Sequence, residues 1–318
     1  MPIQKIVLAN PRGFCAGVER AIKTVEECLS LFGAPVYIKH EIVHNKHVVE
    51  RLHQQGAITV ERVEEIPRNA NAVFSAHGSP PEDFAKAKEK NIRVINATCP
   101  LVTKVHFEVH RYAKQGYKII YIGHKGHAEG LGVLGEVPEA ITMVETKEDV
   151  AHLSFQDDKK LVFLTQTTLS VDESKEIISA LKKKYPKIES PPKEDICYAT
   201  TNRQEAVKAL ANEVDLILVV GSENSSNSRR LVETAIKQGC KAYLIEDKTK
   251  IKKEWLENKK NIGISSGASV PDHLVQKVVS FFVERGARKE EIAGIREDVV
   301  FTEPLELIKI KRLSKADR

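Results

Sequence analysis

Short runs of apolar residues alternate along the chain with longer amphipathic stretches. The short runs predict β-strands, and ten occur, at KIVLAN, PVYIK, AVFSA, RVINA, KIIYIG, ITMVE, KLVFLTQ, LILVVG, KAYLIE and NIGISS. Between them lie stretches with helical spacing of apolar residues, such as VERAIKTVEECLSLF, LVTKVHFEVHRYAKQ, VDESKEIISALKKKY and SRRLVETAIKQG. This alternation is typical of βαβ units and predicts an α/β fold with parallel sheets.

The alternation repeats three times, with one cysteine in each repeat. Cys15, Cys99 and Cys197 each follow what reads as an apolar strand and a turn, and each precedes a helix. Each cysteine is followed by polar residues at two strand ends, 28 or 29 and then 62 to 72 residues later: His44, His127 and Ser225, and then His77, Thr167 and Ser269. We predict three similar α/β units around a pseudo-threefold axis, with these positions facing a common centre.

The three units are predicted to cover residues 1–96, 97–193 and 194–285, with a C-terminal extension over residues 286–318. The second boundary falls in ESPPKED, whose prolines are typical of a linker. Residues 1–13 are expected to join the third sheet, because chain termini often lie close together. The C-terminal extension alternates enough to predict one or two strands.

Length and composition indicate a globular protein of more than one unit. The chain has 318 residues, of which 42% are hydrophobic and 29% are charged. It has no apolar run long enough to span a membrane, and MPIQKIVLAN reads as a strand rather than a signal peptide. We therefore expect a cytoplasmic protein. The net charge of +5 fits an anionic substrate or an acidic partner, or an ordinary solvated surface.

The five cysteines are too widely spaced, and odd in number, for a disulfide framework. Cys28 and Cys240 are expected to be small buried apolar residues. The other three begin helices, where the helix dipole favours the thiolate. Thiolates from three units converging on one point would form a metal or iron–sulfur site. Three ligands on a four-iron cluster would leave one iron open, and zinc remains an alternative although close cysteine pairs are missing.

Polar loops at the predicted strand ends indicate a pocket for a small anion. They carry His44, His77, His127, residues 165–170, residues 225–227 and Ser269. Their hydroxyl groups either cap helices or hold phosphate oxygen atoms together with helix amides. Neither GxxxxGK[ST] nor GxGxxG is present, so a nucleotide is not the expected ligand. Glu129 would donate protons if burial raises its pKa, and otherwise is an exposed loop acid.

Nine segments together resemble the 4-hydroxy-3-methylbut-2-enyl diphosphate reductase family. They are PRGFCAGVERAI, EIVHN, SAHGSP, ATCPLVTKVH, GHKGHAEG, TQTTLSV, CYATTNRQEAV, GSENSSNSRRL and SSGASVPD, in this order. The resemblance implies a trefoil of three α/β units around one central [4Fe–4S] cluster. It implies reductive dehydroxylation of an allylic diphosphate to isopentenyl diphosphate and dimethylallyl diphosphate, the last step of the methylerythritol phosphate route. It also implies an electron donor of the ferredoxin or flavodoxin type.

The resemblance also implies roles for individual residues. Cys15, Cys99 and Cys197 correspond to the cluster ligands. Glu129 corresponds to the proton source, with Thr167 beside the substrate hydroxyl. His127 belongs with these catalytic residues and also with the diphosphate pocket, which is implied at His44, His77, His127, Thr168, Ser225, Ser226, Asn227 and Ser269. Ala128 stands where the family usually has proline, and SSGASVP replaces a more usual threonine–alanine start.

Three other functions remain as alternatives. An iron–sulfur sensor that binds nucleic acid would suit the basic tail, but the chain has no recognisable nucleic-acid-binding motif. A cluster-dependent lyase or synthase would share the threefold plan and need no electron donor. A zinc hydrolase would use the cysteines for a different metal. We expect binding neither to nucleic acid nor to membranes, and a monomer or weak homodimer.

Overall fold

A computed structural model describes residues 3–156 and 159–316 of the chain. Its strands are β1 (Lys5–Leu8), β2 (Val36–Lys39), β3 (Ala57–Val60), β4 (Asn71–Phe74), β5 (Arg93–Asn96), β6 (Lys118–Ile122), β7 (Ile141–Val144), β8 (Leu161–Thr165), β9 (Leu216–Val220), β10 (Lys241–Ile245), β11 (Asn261–Ser266) and β12 (Arg288–Glu291). Its α-helices are α1 (Ala16–Phe32), α2 (Lys46–Gln54), α3 (Pro81–Glu89), α4 (Pro100–Lys114), α5 (Ala128–Leu134), α6 (Lys147–His152), α7 (Val171–Lys184), α8 (Tyr198–Ala211), α9 (Ser226–Lys237), α10 (Asp272–Val283) and α11 (Leu305–Ala316). Within these residues, no helix is both long and apolar enough to cross a membrane.

The strands form three separate parallel sheets, which confirms the predicted fold class. The first sheet has the order β3-β2-β4-β5, the second β7-β6-β8, and the third β10-β9-β11-β1-β12. All the pairings between these strands are parallel. All ten predicted strands are present. The continuous apolar run of β9 is wholly buried, as expected for a parallel sheet covered by helices on both faces.

The first strand belongs to the third sheet, where β1 lies between β11 and β12. Its residues Ile6 to Leu8 are buried in the core of that sheet. The first sheet ends at β5, directly before the helix that carries Cys99 at its N-cap. On the basis of these pairings we propose the unit boundaries near residues 96 and 193, and we assign residues 3–13 to the third sheet. Residues 1 and 2 of the predicted segment lie outside the described part of the chain.

The helices that start at the three cysteines place those residues at the centre of the molecule. Cys15, Cys99 and Cys197 are the N-cap residues of α1, α4 and α8. The first two follow strands β1 and β5, as predicted. The prediction of a strand before Cys197 was wrong. Glu189 makes a single parallel bridge to Val162 at the edge of the second sheet, because the proline-containing segment that follows cannot extend the ladder.

The C-terminal extension contains one strand and one helix. Strand β12 was anticipated by the alternation after residue 285, but the second possible strand is instead helix α11. The carbonyl oxygen of Thr302, before α11, accepts a hydrogen bond from Arg20 of the first unit, and Leu307 of α11 is fully buried in the core of that unit. This extension therefore connects the third sheet with the first unit. The last two residues of the predicted extension, 317 and 318, lie outside the described part of the chain.

Candidate active site

All thirteen residues predicted for the site line one cavity where the three units meet. They are Cys15, His44, His77, Cys99, His127, Glu129, Thr167, Thr168, Cys197, Ser225, Ser226, Asn227 and Ser269. The parallel sheets explain this convergence, because the loops that follow the strands all lie at the carboxyl edge of their sheet. Ligand-binding loops of three sheets are therefore brought to a common centre.

The three cysteines are attached to the site by the same backbone hydrogen bond in each unit. The cysteine N–H donates to a carbonyl oxygen in a neighbouring loop: Cys15 to Ala268 (3.1 Å), Cys99 to Ala76 (3.0 Å) and Cys197 to Thr167 (3.0 Å). The residue after each acceptor lines the cavity, and these residues are Ser269, His77 and Thr168. By its position directly after the hydrogen-bond acceptor, Thr168 rather than Thr167 is the counterpart of His77 and Ser269 in the repeat.

The sulfur atoms of two cysteines lie against Gly17 in the first turn of α1. A methyl group at Gly17 would lie 2.7 Å from Sγ of Cys99 and 3.9 Å from Sγ of Cys15. The first distance is shorter than van der Waals contact, so a larger residue would displace the sulfur of Cys99. Glycine therefore leaves the space in which the thiols of two units approach each other. Sequence reasoning missed Gly17, although glycine close to a helix start is a usable signal of close approach.

Burial, rather than the helix dipole, controls the ionisation of the three thiols. Burial raises the pKa of Cys99 to about 12 and that of Cys197 to about 11, and it also raises the pKa of Cys15. The N–H groups of the first helical turn act in the opposite direction but are outweighed. The expected easier ionisation was therefore wrong. The negative charges of neighbouring thiolates raise the pKa further, so a bound cation would be needed to stabilise all three thiolates together.

Replacing Gly17 by alanine is expected to weaken metal binding while it changes the thermal stability of the metal-free chain little. Alanine is better than glycine by about 1 kcal/mol in a helix interior and by less in the first turn, where Gly17 lies. Because the close contact with Cys99 opposes this gain, the metal-free chain should unfold near the wild-type temperature. The displaced sulfur of Cys99 should weaken metal-centre binding by about 10- to 100-fold, the range for a disturbed ligand environment. Thermal unfolding and iron and sulfide analysis measure the two effects. Glu19→Ala, at an exposed position of the same helix, is the control and should keep the iron content. Full iron content in Gly17→Ala would contradict the importance of this space.

Glu129 is a buried acid held at two points by one residue. It is 2% exposed, its Oε1 accepts from the N–H of Thr167 at 2.7 Å, and its Oε2 accepts from Oγ1 of Thr167 at 2.8 Å. Burial raises its pKa to about 7, against the lowering effect of the two Thr167 hydrogen bonds. A carboxyl group with this pKa exchanges protons near neutral pH. The possibility that Glu129 is an exposed loop acid was wrong.

Three histidines from different loops form a compact group on the cavity wall. The ring centroids of His44 and His77 are 4.1 Å apart, and that of His127 lies 5.5 Å from the first and 6.0 Å from the second. Burial lowers the pKa of His77 well below its usual value, and burial also lowers the pKa of His127 to about 3. These two rings are therefore neutral at physiological pH. Neutral imidazoles can donate hydrogen bonds to phosphate oxygen atoms without the cost of burying several positive charges.

The polar residues from the other loops are fixed by contacts between units. Ser225 caps α9 by accepting from the N–H of Ser228, so the capping interpretation is correct for this residue. The hydroxyl of Ser226 donates to the carbonyl oxygen of Thr168, and that of Ser269 donates to the carbonyl oxygen of His44. The side-chain amide of Asn227 is buried with no partner for either polar atom among the described residues. Such an amide is expected to bind a ligand.

Two residues beside the cavity were not predicted. Oε2 of Glu41 accepts from Nδ2 of Asn224 at 2.7 Å and lies 3.1 Å from Nδ1 of His44. Because Glu41 belongs to the first unit and Asn224 to the third, this pair links two units at the edge of the histidine group. The position of Glu41 three residues before His44 was a signal, but the contact with Asn224 across the chain was not visible in the sequence.

Three other histidines have ordinary roles outside the cavity. His106 and His110 both contact the carboxylate of Glu136, and Nδ1 of His124 lies 3.0 Å from Glu145. Among residues 3–156 and 159–316, no group of three or more His, Cys, Asp or Glu side chains is arranged around a single metal ion. A polynuclear cluster does not require such an arrangement, because each thiolate binds a different metal atom.

Comparison with known proteins gives one consistent family. The family described as LytB protein matches residues 6–283. A 4-hydroxy-3-methylbut-2-enyl diphosphate reductase of Haemophilus influenzae (strain PittGG) is 52% identical over 307 residues, which are 95% of this chain and 98% of the relative. The same enzyme of Tolumonas auensis is 51% identical over 95% of this chain and 99% of the relative.

Two solved structures share the fold of this chain. The E-1-hydroxy-2-methyl-but-2-enyl-4-diphosphate reductase of Plasmodium falciparum superposes with a TM-score of 0.95 at 40% identity, covering 99% of this chain and 100% of that one. A second structure has a TM-score of 0.64 at 34% identity and covers 89% of this chain and 100% of that one. It is described as (E)-4-hydroxy-3-methyl-but-2-enyl diphosphate reductase, the terminal enzyme of the non-mevalonate pathway.

Proposed function

We infer that this chain, which belongs to the LytB protein family, is a 4-hydroxy-3-methylbut-2-enyl diphosphate reductase. It is an iron–sulfur enzyme that acts on a small diphosphate in the terminal step of the non-mevalonate route to isoprenoids. The observation that carries this conclusion is the shared cavity, in which three thiols, a buried acid and a group of neutral hydrogen-bond donors meet. The products are isopentenyl diphosphate and dimethylallyl diphosphate.

We propose that Cys15, Cys99 and Cys197 hold one [4Fe–4S] cluster. Three thiols from three units, none of them in a disulfide, face one cavity, and Gly17 leaves space between two of them. Thiolates are the usual ligands of iron–sulfur clusters, and distant cysteines can supply them. When bound, the cluster supplies electrons and one iron with an open coordination position. The protein contributes the position of the substrate and the movement of protons.

The diphosphate is proposed to bind at the histidine group and the start of α9. His44, His77 and His127 offer ring N–H donors, and Ser226 and Asn227 lie in the first turn of α9, where helix amides attract phosphate. Thr168, Ser225 and Ser269 are the further polar residues proposed for this pocket. Binding the diphosphate on one side directs the hydroxyl end of the substrate toward the thiols. This orientation reduces the entropy cost of the reaction before any bond changes.

Glu129 and Thr167 are proposed to supply the protons, with His127 beside them. The reaction consumes two electrons and two protons, breaks the carbon–oxygen bond of the substrate hydroxyl group and releases water. Oγ1 of Thr167 donates to Glu129 at 2.8 Å, so the hydroxyl group and the carboxyl group form a relay of two members. The N–H of Glu129 donates to Nδ1 of His127 at 3.2 Å, which connects the acid to the diphosphate pocket. A pKa of about 7 allows Glu129 to donate and to be protonated again near neutral pH.

The electron donor is proposed to be an acidic protein of the ferredoxin or flavodoxin type. A groove beside Cys99 is lined by Arg20, Thr98, Pro100, Thr103, Lys104, Phe107, Glu108 and Arg111. Phe107 is 70% exposed and Arg111 is also exposed, while burial raises the pKa of Glu108 to about 7 and weakens its negative charge. An exposed aromatic ring among cations, next to a proposed cluster ligand, suits the docking of an acidic redox protein.

The variant Phe107→Ala/Arg111→Gln is expected to raise KM for reduced flavodoxin by about tenfold. Loss of the aromatic contact and of one positive charge should slow the encounter with an acidic partner. Turnover with dithionite and viologen, a small reductant that needs no docking surface, should stay unchanged. Lys237→Gln on α9 removes a charge away from this groove and is the control. An unchanged KM with the protein donor would contradict the docking surface.

Anaerobic purification followed by iron, sulfide and product analysis tests the proposed function as a whole. We expect a bound iron–sulfur cluster and reductant-dependent formation of both isoprenoid diphosphates. Zinc without sulfide would support the hydrolase alternative, and turnover without reductant would support a lyase or synthase. Steeply salt-dependent binding to DNA or RNA would support a sensor. We also propose a cytoplasmic enzyme that is a monomer or weak homodimer, which gel filtration can test.

A further inference from the structure

Each helix that starts at a cysteine carries a cation that reaches the loop before a different cysteine. Arg20 in α1 donates through Nη1 to the carbonyl oxygens of Ala97 (3.1 Å) and Thr98 (3.0 Å), directly before Cys99. Lys104 in α4 donates to the carbonyl oxygens of Lys193 (2.9 Å) and Glu194 (3.2 Å) and to Oδ1 of Asp195 (2.9 Å), shortly before Cys197. Arg203 in α8 donates through Nη2 to the carbonyl oxygens of Gly13 (2.8 Å) and Phe14 (3.4 Å), directly before Cys15.

These three contacts form a closed cycle with one direction. The helix of Cys15 supports the loop of Cys99, the helix of Cys99 supports the loop of Cys197, and the helix of Cys197 supports the loop of Cys15. The cations lie five, five and six residues after their own cysteines. In all three units a cation at nearly the same helical position contacts the loop before another cysteine. This repetition indicates a shared role rather than three unrelated surface contacts.

We propose that Arg20, Lys104 and Arg203 are positioning residues that hold the three metal-binding loops in register with one another. This proposal rests on the proposed function, in which the three thiols bind one cluster. Each cation fixes the carbonyl groups just before the cysteine of another unit. The cysteine at the start of the cation's own helix is held instead by that helix. Removing one cation should therefore loosen the next cysteine in the cycle, and not the cysteine on the same helix.

Burial and charge make these contacts strong enough for this role. The side chain of Arg203 is fully buried and also pairs with Glu297 at 3.1 Å, which joins the cycle to the C-terminal extension. Nε of Arg20 donates to the carbonyl oxygen of Thr302 in the same extension at 2.6 Å. Hydrogen bonds with a charged donor are roughly twice as strong as neutral ones.

The test follows which cysteine is released first when the holoenzyme loses its cluster. Wild type, Arg20→Gln and Lys104→Gln are exposed anaerobically to an iron chelator, sampled with short pulses of iodoacetamide, and mapped by peptide mass spectrometry. In Arg20→Gln we expect Cys99 to be alkylated about tenfold faster than in wild type, with a much smaller change at Cys15. In Lys104→Gln we expect the same acceleration at Cys197 rather than at Cys99.

Conservative and matched variants separate positioning from general destabilisation. Arg20→Lys and Lys104→Arg keep the charge and should restore most of the slow alkylation. Lys23→Gln on α1 and Lys114→Gln on α4 remove charges at exposed positions of the same helices and should behave as wild type. Faster alkylation at the cysteine of the same helix, or equally at all three cysteines, would overturn the proposal. A wild-type protein that assembles no cluster would instead refute the proposed function.

Discussion

Replacing Glu129 by glutamine is expected to lower turnover by about 10²–10⁴-fold, the usual contribution of a general acid, while the iron–sulfur content stays unchanged. Glutamine has nearly the same shape and its amide oxygen can still accept from the N–H of Thr167, so the cavity should keep its form. What is lost is a proton that Glu129 can release near neutral pH. Turnover with dithionite and viologen, together with iron analysis, measures the effect.

The pH profile provides an independent check of the same residue. Because the pKa of Glu129 is about 7, its protonated form falls as the pH rises above that value, and wild-type turnover should decline on the alkaline side. Glu129→Gln should lack this decline. Glu145→Gln, which changes a carboxylate beside His124 and outside the cavity, is the control and should keep both the rate and the profile. An unchanged rate in Glu129→Gln would remove this residue from the mechanism.

Replacing Cys99 by serine is expected to abolish stable cluster binding and to reduce turnover to background. A serine hydroxyl group does not ionise in this buried position, and three thiolates are already the smallest set that holds a four-iron cluster with one open iron. Iron and sulfide content and the visible absorption band of the cluster measure the result. Because serine differs from cysteine by a single atom of similar size, the chain itself should still fold.

Cys240→Ala is the matched control for this variant. Cys240 is 7% exposed, lies in the core of the third sheet and donates weakly to the carbonyl oxygen of Val214. Its loss should leave the cluster and turnover intact. A wild-type absorption band in Cys99→Ser would contradict the ligand assignment. Loss of the band in both variants would indicate general destabilisation instead.

The sheet architecture was predictable because buried parallel strands have a simple pattern. Strands such as β6 and β9 are continuous apolar runs, since both faces of their sheets are covered. Two of the six strands at sheet edges, β3 and β12, were not among the ten predicted apolar runs. β3 is AITV, a short run of which only two residues are buried, and β12 is RKEE with all four residues exposed. Their pairing is decided by the neighbouring strand rather than by their own residues.

The site residues were predictable for a different reason. Spacing along a repeat identifies loops at one sheet edge, and this was sufficient to bring Cys15, His44 and Ser269 to one cavity. Contacts between units cannot be deduced from such spacing. The pairing of Glu41 with Asn224 spans 183 residues, and that of Arg203 with Gly13 spans 190. A positive residue five or six positions after each of Cys15, Cys99 and Cys197 was present in the sequence, but only the folded chain reveals where each one points.

The backbone hydrogen bond donated by each cysteine has a consequence for the stability of the cluster when the enzyme is exposed to oxygen. The peptide group that accepts this bond also leads into Ser269, His77 or Thr168, each of which lines the cavity and is proposed to hold the diphosphate. Binding of substrate therefore restrains the cysteine loops. Because coupling between two sites is reciprocal, substrate stabilises the bound cluster by the same free energy with which the cluster stabilises bound substrate. A substrate-bound molecule should keep its iron longer during oxidative stress than a substrate-free one, so substrate would protect the molecules that are turning over.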